Sequence, residues 1–279
     1  MDDLIQAAAD ALLTSKHAIA LTGAGMSTES GIPDFRGPDG LWTKNPELEQ
    51  KAYEAYETFK RNPRTFWIEQ LESSVNLVKE WGKAEPNAGH VALAELEKMK
   101  RLKRVLTQNI DNLHQRAGSR RVIDYHGNIS KLRCIKCQKR YPTDQYDMEQ
   151  LKEADQLPPR CNSCGDPVKP DVVYFGEPIP GDVAQESQQE AQSCDLMLIC
   201  GTSAVVYPFA SLPLIAAGRR RNTLDTFLSF GLKPYTPATI IEINAEPTPL
   251  THEKISNYLI QGKTGEILPK IMEAVAKRL

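Results

Sequence analysis

Four of the six cysteines in this 279-residue chain stand in two pairs of equal spacing. Cys134 and Cys137 form one CxxC pair, and Cys161 and Cys164 form the other. Two thiolates two residues apart supply half of a tetrahedral zinc site, and a second pair completes it. A single CxxC is also typical of a redox pair, but the doubled pattern indicates a metal. Because sulfur fills all four positions, the sequence predicts a structural zinc ion.

A glycine turn follows a short apolar strand near the N-terminus. The strand covers residues 18–21 and leads into Gly23-Ala24-Gly25 and then Ser27, where we expect a helix to begin. Glycines here let the backbone approach a phosphate, and a helix N-terminus favours its charge. The GxGxxG fingerprint needs a third glycine where this chain has Thr28, which disfavours an ordinary dehydrogenase. A plain tight turn is the alternative.

Polar side chains also follow a second predicted strand, in the run Thr107-Gln108-Asn109-Ile110-Asp111. In open parallel sheets, ligands bind beyond the carboxyl ends of strands. Gln108, Asn109 and Asp111 could therefore contact the ribose and amide of a cofactor. Asp111 could equally cap the helix that follows it.

A histidine follows a third predicted strand, at residues 122–125. His126 could act as a general base near neutral pH, although a lone histidine is also common as a structural residue. The other histidines are weaker candidates or fall within predicted helices: His17, His252, His90 and His114.

The elements that must position these groups alternate between strand and helix. Strands are predicted at 18–21, 104–107, 122–125, 195–200, 239–243 and 257–260, and helices at 3–16, 46–81, 88–100 and 265–278. We expect Pro63 to divide the second of these helices. This alternation predicts an α/β fold, a Rossmann-like parallel sheet covered on both faces.

Two segments do not fit the alternation. Residues 37–84 read as a helical module, and residues 132–168 read as a loop-rich zinc-binding module. We interpret them as insertions that together form a smaller domain. The Rossmann-like domain then comprises residues 1–36, 85–131 and 169–279.

Composition excludes several classes of protein. Hydrophobic residues make up 41% and charged residues 25%, as in ordinary globular proteins. The formal net charge of -2 provides no global basic field, so direct nucleic-acid binding is not expected. Basic residues near the first cysteine pair are expected to balance the thiolates or to lie on a solvated face: Lys131, Arg133, Lys136, Lys139 and Arg140.

The sequence also predicts no membrane segment. Residues 196–218 carry no charge, but Pro208 and Pro213 break the stretch, which we interpret as a buried strand, a loop and the start of a helix. The first residues lack the basic and apolar regions of a signal peptide, so the expected location is the cytoplasm. Cys194 and Cys200 are expected to be inert core residues.

Taken together, these segments resemble the sirtuin family of NAD-dependent protein deacylases. The matching segments span almost the whole chain in the order of the family: residues 23–27, 31–37, 107–111, 126–127, the four cysteines, 172–177 and 201–203. The resemblance implies a Rossmann-like NAD-binding domain, NAD as co-substrate and a structural zinc ion.

The resemblance also implies which residues bind NAD. The turn at 23–27 and residues 201–203 would hold the pyrophosphate, Asn244 the adenosine ribose, and residues 108–111 the nicotinamide riboside. Phe35 and Arg36 would lie on a mobile loop that closes over the cofactor. The implied set is Gly23, Ala24, Gly25, Ser27, Ile32, Asp34, Phe35, Arg36, Gln108, Asn109, Ile110, Asp111, Gly201, Thr202, Ser203, Asn244 and Thr264.

The implied reaction makes His126 the general base that activates a ribose hydroxyl, with Asn109 and Asp111 as the other catalytic residues. The oxygen of an acyl-lysine would attack the ribose carbon bearing nicotinamide, giving an alkylimidate that the activated hydroxyl then attacks. The products would be free lysine, nicotinamide and O-acyl-ADP-ribose. The substrate peptide would pair with or contact Val173, Phe175, Gly176 and Val205.

Two other functions stay open at this point. The same fold could serve an NAD glycohydrolase or ADP-ribosyltransferase, although His126 and residues 172–177 favour deacylation. A non-enzymatic zinc module would leave most of the chain unexplained.

The chain departs from relatives at two places. Where desuccinylating members carry a Tyr-x-x-Arg pair, this chain has Gln70 and Ser73, which predicts a preference for acetyl or other neutral acyl groups. Residues 219–238 replace a short turn. We expect a surface excursion on a monomer, with self-association through this insertion as the alternative.

Overall fold

Six parallel strands form the main sheet, and three antiparallel strands form a smaller one. The computed structural model describes residues 1–218 and 237–279, with side chains outside 73–80. The strands are β1 (Ala18–Thr22), β2 (Arg104–Thr107), β3 (Val122–Asp124), β4 (Gly127–Cys134), β5 (Arg140–Pro142), β6 (Val168–Val172), β7 (Leu196–Cys200), β8 (Thr239–Asn244) and β9 (Tyr258–Gln261). The main sheet has the order β3-β2-β1-β7-β8-β9, and the small sheet the order β5-β4-β6.

Helices cover both faces of the main sheet and form the rest of the small domain. They are α1 (Asp2–Thr14), α2 (Leu41–Lys44), α3 (Pro46–Arg61), α4 (Pro63–Lys83), α5 (Ala88–Lys98), α6 (Leu113–Arg116), α7 (Met148–Glu153), α8 (Gly181–Ser193), α9 (Ser211–Ala216), α10 (Pro249–His252) and α11 (Thr264–Ala276). The predicted Rossmann-like fold with a second, smaller unit is thereby confirmed. Among the described residues, no helix is both long enough and apolar enough to cross a membrane.

The alternation of side chains along β1 shows how the sheet separates two cores. Ala18 and Ala20 pack in the core that holds α1, α5 and α11, whereas Ile19 and Leu21 pack in the core that holds α8 and α9. Successive residues of a strand face opposite sides, so a strand buried on both faces is apolar throughout. This is why the central strands were predictable as short apolar runs.

Three predicted features are confirmed, one helix was missed, and the structure of the glycine turn differs from the prediction. Helix α3 ends before Pro63, which starts α4 behind an Asn62 cap, and residues 196–218 form β7, a loop and α9. Cys194 and Cys200 are buried, and burial raises the pKa of the Cys194 thiol to about 12. Helix α8 was not predicted, because its only buried residues are Ser187 and Ala191, which give no apolar stripe.

The second correction concerns the glycine turn. Instead of an α-helix, two short 3₁₀ turns follow it, Ala24–Met26 and Thr28–Ser30. Gly31, with a φ of 83°, then ends the helical backbone. The turn therefore offers backbone N–H groups to a ligand but no long helix dipole.

The two predicted insertions share one hydrophobic core. Phe59, Phe66 and Trp67 of the helical segment pack with Leu132 and Val168 of the small sheet. The indole N–H of Trp67 also donates a hydrogen bond to the Val168 carbonyl at 2.8 Å. The predicted domain boundaries at 131/132 and 168/169 fall at β4 and β6, and they stay a prediction.

The four paired cysteines converge at the end of the small sheet. Their sulfur atoms all lie within 4.8 Å of one another. Cys134 and Cys164 are 3.5 Å apart, as are Cys137 and Cys161. Sulfurs around a tetrahedral zinc ion, with Zn–S bonds of about 2.3 Å, stand roughly 3.8 Å apart. The cluster therefore fits a structural zinc ion, although the segment is less loop-rich than predicted.

The predicted insertion at 219–238 lies outside the described residues except for its last two positions. Its role stays a prediction, as do the monomeric state and the cytoplasmic location.

Gly127 marks the contact between β4 and β6. Its φ is 86°, and a Cβ added there would lie 1.8 Å from the Asp171 carbonyl oxygen. Gly118 is a matched control because it has a φ of 105° but no atom within 4 Å of an added Cβ. Gly118→Ala should cost about 1–3 kcal/mol from backbone strain alone, and Gly127→Ala should cost about 2 kcal/mol more. Equal losses in urea unfolding would contradict the close approach of the two strands.

Loss of one cysteine should remove the metal. Cys134→Ala should lower bound zinc from about one ion per chain to nearly none, because three thiolates hold zinc less well than four. Metal analysis and thermal unfolding measure the effect, with Cys194→Ala as the buried control that keeps its zinc. Full zinc occupancy in Cys134→Ala would contradict a four-sulfur site.

Candidate active site

The carboxyl ends of four parallel strands lie side by side at one edge of the main sheet. Thr22 of β1 is level with Thr107 of β2 and with Cys200 of β7, and Cys200 is level with Ile243 of β8. The next residue of each strand therefore falls in one row. That row is Gln108, Gly23, Gly201 and Asn244, which are all predicted site residues.

The glycines of this row stand where a side chain would not fit. A Cβ on Gly23 would lie 2.6 Å from Thr202 Cβ and 2.9 Å from Gln108 Oε1. The N–H of Gly25 donates to the Gly201 carbonyl at 2.9 Å, so the turns after β1 and β7 are joined directly. Ala24 lies on the same turn, half-buried. Two close backbone turns at a strand edge form a cradle suited to a phosphate-bearing ligand.

Thr202 and Asn244 interlock on the β7–β8 side. The Thr202 N–H donates to Asn244 Oδ1 at 2.9 Å, and the Thr202 hydroxyl donates to Gln108 Oε1 at 2.8 Å. Asn244 Nδ2 donates to Glu242 Oε2 at 3.3 Å. Ser203 is exposed beside them.

Glu242 was not predicted as part of the site. It is fully buried in β8 and accepts hydrogen bonds from Thr251 Oγ1 and Ser256 Oγ, each at 2.6 Å, and from the Thr248 hydroxyl. These bonds fix the carboxylate that orients the Asn244 amide. A lone acidic residue inside an apolar strand was the signal that could have identified it.

Ser27, Asn109 and Asp111 form a hydrogen-bonded group on the β2 side. The Ser27 hydroxyl donates to Asp111 Oδ2 at 2.6 Å, and Asn109 Nδ2 donates to Ser27 Oγ at 3.0 Å and to the Gly23 carbonyl at 2.9 Å. Asp111 Oδ1 also accepts from the Leu113 N–H at 2.9 Å, but Asp111 is not the predicted N-cap, because Asn112 occupies that position at the start of α6. Burial raises the pKa of the Asp111 carboxyl. Ile110, next to it, accepts from the Ile129 N–H at 2.8 Å.

His126 lies two residues after the end of β3 and directly before β4, with its ring against Tyr125 and Phe209. Its Nδ1 is 3.3 Å from the Gln108 carbonyl oxygen. A carbonyl can only accept, so Nδ1 carries the proton and Nε2 presents a lone pair. Burial lowers the pKa of His126, and the bond to Gln108 opposes this shift. The imidazole is therefore neutral at pH 7.

The chain after β6 runs beside His126. The Val173 N–H donates to the His126 carbonyl at 2.8 Å. Gly176 follows with a φ of 78°, and Val205 is 52% exposed on the loop after β7. Of the four predicted substrate residues, Val173 therefore lies next to His126, and Val205 lies exposed on the loop after β7.

Aromatic rings join the loop after the glycine turn to this segment. The centroids of Phe35 and Trp42 are 4.7 Å apart, and those of Trp42 and Phe175 are 5.5 Å apart. The Arg36 guanidinium lies 4.7 Å from the Trp42 centroid, and Tyr53 packs on Phe175 at 4.2 Å. These contacts link the loop after the glycine turn to the segment after β6.

The remaining predicted residues support the turn and its neighbours. Ile32 is buried, and Asp34 accepts from the Gly37 N–H at 2.9 Å, which shapes the loop. Thr264 begins α11 and is 2% exposed, and its buried hydroxyl has no hydrogen-bond partner among the described residues. A buried hydroxyl without a partner beside the glycine turn fits a polar ligand.

Among the other histidines, His90 and His114 lie within helices, as predicted, whereas His252 ends α10 and does not lie in the predicted polar loop. His17 precedes β1 at the opposite end of the sheet and contacts Glu190 at 2.7 Å. His90 and His114 are buried with ring centroids 4.8 Å apart, and burial lowers the pKa of His90 to about 4. Both are neutral structural residues at pH 7.

Comparison with known proteins identifies relatives over the whole chain. The NAD-dependent protein deacylase 2 of Archaeoglobus fulgidus is 46% identical over 282 residues, which cover 100% of this chain and 98% of the relative. The NAD-dependent protein deacetylase of Sulfurisphaera tokodaii is 42% identical over 267 residues. The alignment covers 95% of this chain and 94% of the relative.

Solved structures give the same result. A Sir2 homologue in complex with NAD superposes with a TM-score of 0.73 at 37% identity, covering 100% of this chain and 94% of the other. A Sir2 protein bound to a myristoylated histone peptide superposes with a TM-score of 0.67 at 40% identity, covering 100% and 98%.

The family model also matches more than half of the sequence. The Sir2 family model covers residues 23–208, which include the glycine turn, the polar strand end, His126 and all four paired cysteines. Together with the identities above, this match shows that the chain belongs to the Sir2 family.

Proposed function

We propose that this NAD-dependent protein deacylase transfers the acyl group of a modified lysine to the ADP-ribose part of NAD. The products are nicotinamide, free lysine and O-acyl-ADP-ribose. The observation that carries the proposal is the position of His126. A neutral, half-buried imidazole lies at the strand edge, next to the chain segment expected to bind a peptide.

NAD would lie along the row of strand ends. Its pyrophosphate would lie in the cradle of Gly23, Ala24, Gly25, Ser27, Gly201, Thr202 and Ser203, where a Cβ added to any of the three glycines would collide with protein atoms. Asn244 would accept a hydrogen bond from a hydroxyl of the adenosine ribose. The Thr264 hydroxyl, which has no partner among the described residues, would face the adenine. When bound, NAD supplies a ribose carbon with nicotinamide as its leaving group.

The nicotinamide riboside would lie on the β2 side. Gln108 and Asn109 would contact the ribose, while Ile110 and Asp111 would hold the carboxamide. Phe35 and Arg36 would close over it on the loop that Ile32 and Asp34 support. The main contributions of this pocket are positioning of the reactants and exclusion of water.

His126 would act as the general base of the reaction. Its Nδ1 proton is engaged by the Gln108 carbonyl, so Nε2 is the atom that can take a proton from a ribose hydroxyl. Gln108 thus orients the base through its backbone and lines the ribose site through its side chain. Asn109 and Asp111 would keep the ribose and the carboxamide in place beside it.

The acyl-lysine peptide would bind as an added strand along Val173, Phe175 and Gly176. Val205 would border the other side of the peptide. Support comes from the relative whose structure holds a myristoylated histone peptide. The aromatic rings of Phe175 and Tyr53 would shelter the acyl group near His126.

The acyl group would be neutral. Gln70 and Ser73 stand where desuccinylating members carry the tyrosine and the arginine that hold an acyl carboxylate. The structure does not describe the side chain of Ser73. Burial of a carboxylate without a charged partner, beside apolar side chains such as Phe175, is strongly disfavoured. Acetyl and longer fatty acyl groups are both compatible with this environment.

An NAD glycohydrolase or ADP-ribosyltransferase on the same fold is the alternative. It would need the strand edge and His126 but not the peptide segment beside them. The dependence of nicotinamide release on acyl peptide distinguishes the two.

Replacement of the base should abolish the reaction. His126→Ala should reduce acyl-peptide-dependent nicotinamide release by about 10²–10⁴-fold, the usual contribution of a general base. His17→Ala, at the far end of the sheet, is the control and should retain activity. Equal activity of His126→Ala and wild type would remove His126 from the mechanism.

The pH profile gives a second readout for His126. Only the neutral imidazole can accept a proton, so activity should fall as the pH drops through its pKa. Because burial lowers that pKa, the acid limb of kcat/KM should lie below the ordinary histidine value of about 6.5. An acid limb above this value would contradict the half-buried, neutral base.

A matched peptide panel tests the acyl class. Acetyl-lysine and myristoyl-lysine peptides should be turned over, whereas succinyl-lysine should react at least about 10-fold more slowly, since nothing offsets its buried charge. Mass spectrometry of the peptides measures all three under one condition. Succinyl-lysine turnover equal to that of acetyl-lysine would contradict the assignment.

A further inference from the structure

Four charged side chains are buried together between the small sheet and the chain that follows it. Arg133 lies on β4, Lys169 and Asp171 lie on β6, and Glu177 follows β6. Their side chains are at most 4% exposed. Arg133 donates to Asp171 and to Glu177, each at 2.7 Å, and Lys169 lies 3.0 Å from Glu177. We refer to these four residues as the buried ionic network.

Such networks are weak evidence for stability. Removing charges from water costs several kcal/mol per ion, and mutual attraction often does no more than offset that cost. The hydrogen bonds that the network makes to the backbone point to a more specific role.

Lys169 uses all three of its N–H donors within reach of one strand end. Its Nζ donates to the Val172 carbonyl at 2.7 Å, to the Pro170 carbonyl at 3.1 Å and to Glu177 Oε2 at 3.0 Å. The ammonium also lies 5.0 Å from the centroid of the Tyr174 ring. The position of the Val172 peptide group is thereby fixed from one side.

Glu177 fixes the next peptide group on that side. Its Oε2 accepts from the Tyr174 N–H at 3.1 Å, while its Oε1 accepts from Arg133. The Glu177 N–H in turn donates to the Tyr174 carbonyl at 3.0 Å. Val172 and Tyr174 are therefore both held by buried charges.

In extended backbone, the N–H and C=O groups of one residue point to the opposite side from those of the next residue. Val173 accordingly faces away from the network, and its N–H donates to the His126 carbonyl. Strand β4 starts at Gly127, which pairs with Val172 at the end of β6, so only the chain after β6 runs past β4. Within the described ranges, the Val173 carbonyl and the Phe175 N–H have no protein partner.

We propose that Lys169 and Glu177 are positioning residues for substrate: they hold the backbone of residues 172–175 in the conformation that pairs with an extended acyl-lysine peptide. The inference rests on the proposed function and adds the groups that determine peptide affinity. Neither side chain touches the substrate. Their effect should fall on the peptide and leave NAD binding unchanged, because the glycine cradle and Asn244 lie on other strands.

The test separates the two substrates kinetically. Glu177→Gln keeps the shape of the side chain but removes its charge, which weakens its hold on Tyr174 and Lys169. The KM for an acetyl-lysine peptide should rise roughly 10-fold, the usual effect of losing a hydrogen bond to a charged group, while the KM for NAD stays within about 2-fold. Asp182→Asn is the matched control, because Asp182 pairs with Arg140 at the exposed rim of the network.

A second variant keeps the proposal testable if Glu177→Gln does not fold correctly. If Glu177→Gln loses its zinc or its NAD binding, the double variant Lys169→Met/Glu177→Gln removes one charge of each sign and leaves Arg133 paired with Asp171. It should bind zinc and NAD like wild type and still show the higher peptide KM. A peptide KM unchanged in a folded variant, or equal increases in both KM values, would overturn the proposal.

Direct binding distinguishes failure of this inference from failure of the proposed function. The probe is a fluorescein-labelled peptide with one acetyl-lysine, measured by anisotropy without NAD. Absence of binding to the wild-type protein would contradict the deacylase proposal itself. Binding by the wild type and equally tight binding by the folded variants would contradict only the positioning role.

Discussion

The shared register of four parallel strands is the constraint on which the site depends. Because β2, β1, β7 and β8 end level with one another, the residue after each end falls in a single row. Two of these residues are glycines whose backbone turns nearly touch, and the other two, Gln108 and Asn244, are bridged through Thr202. A shift of one strand by one residue would separate these groups and turn its core side chains to the opposite face. The hydrophobic cores on both faces of the sheet therefore also maintain the geometry of the site.

The small sheet supplies the second half of the arrangement. Gly127 allows β4 and β6 to approach, and the chain after β6 then continues beside His126. The zinc-binding cysteines lie at the other end of the same two strands, since Cys134 pairs with Val168. The cysteine cluster, the buried ionic network and residues 172–175, which we propose bind the peptide, thus follow one another along β4 and β6.

Features set by local sequence were predictable, whereas those set by distant pairing were not. The cysteine pairs, the apolar strands and the break at Pro63 each follow from a few neighbouring residues. Helix α8 escaped prediction because it buries Ser187 and Ala191 in place of a larger apolar stripe. The bonds from Arg133 to Asp171 and Glu177 join residues far apart in sequence, so their burial shows only in the fold. Asp111 shows a third case: the sequence left open whether it caps a helix, and in the fold Asn112 is the N-cap while Asp111 bonds to Ser27 and to the Leu113 N–H.

The central claim is that one strand edge and His126 bring NAD and an acyl-lysine together for acyl transfer. The most direct test is a product analysis by mass spectrometry after incubation of the protein with NAD and an acetyl-lysine peptide. The account predicts equal amounts of nicotinamide, deacetylated peptide and O-acetyl-ADP-ribose, with none formed when the peptide is unmodified. Nicotinamide and plain ADP-ribose released at the same rate without acyl peptide, or free acetate released with NAD unconsumed, would contradict it.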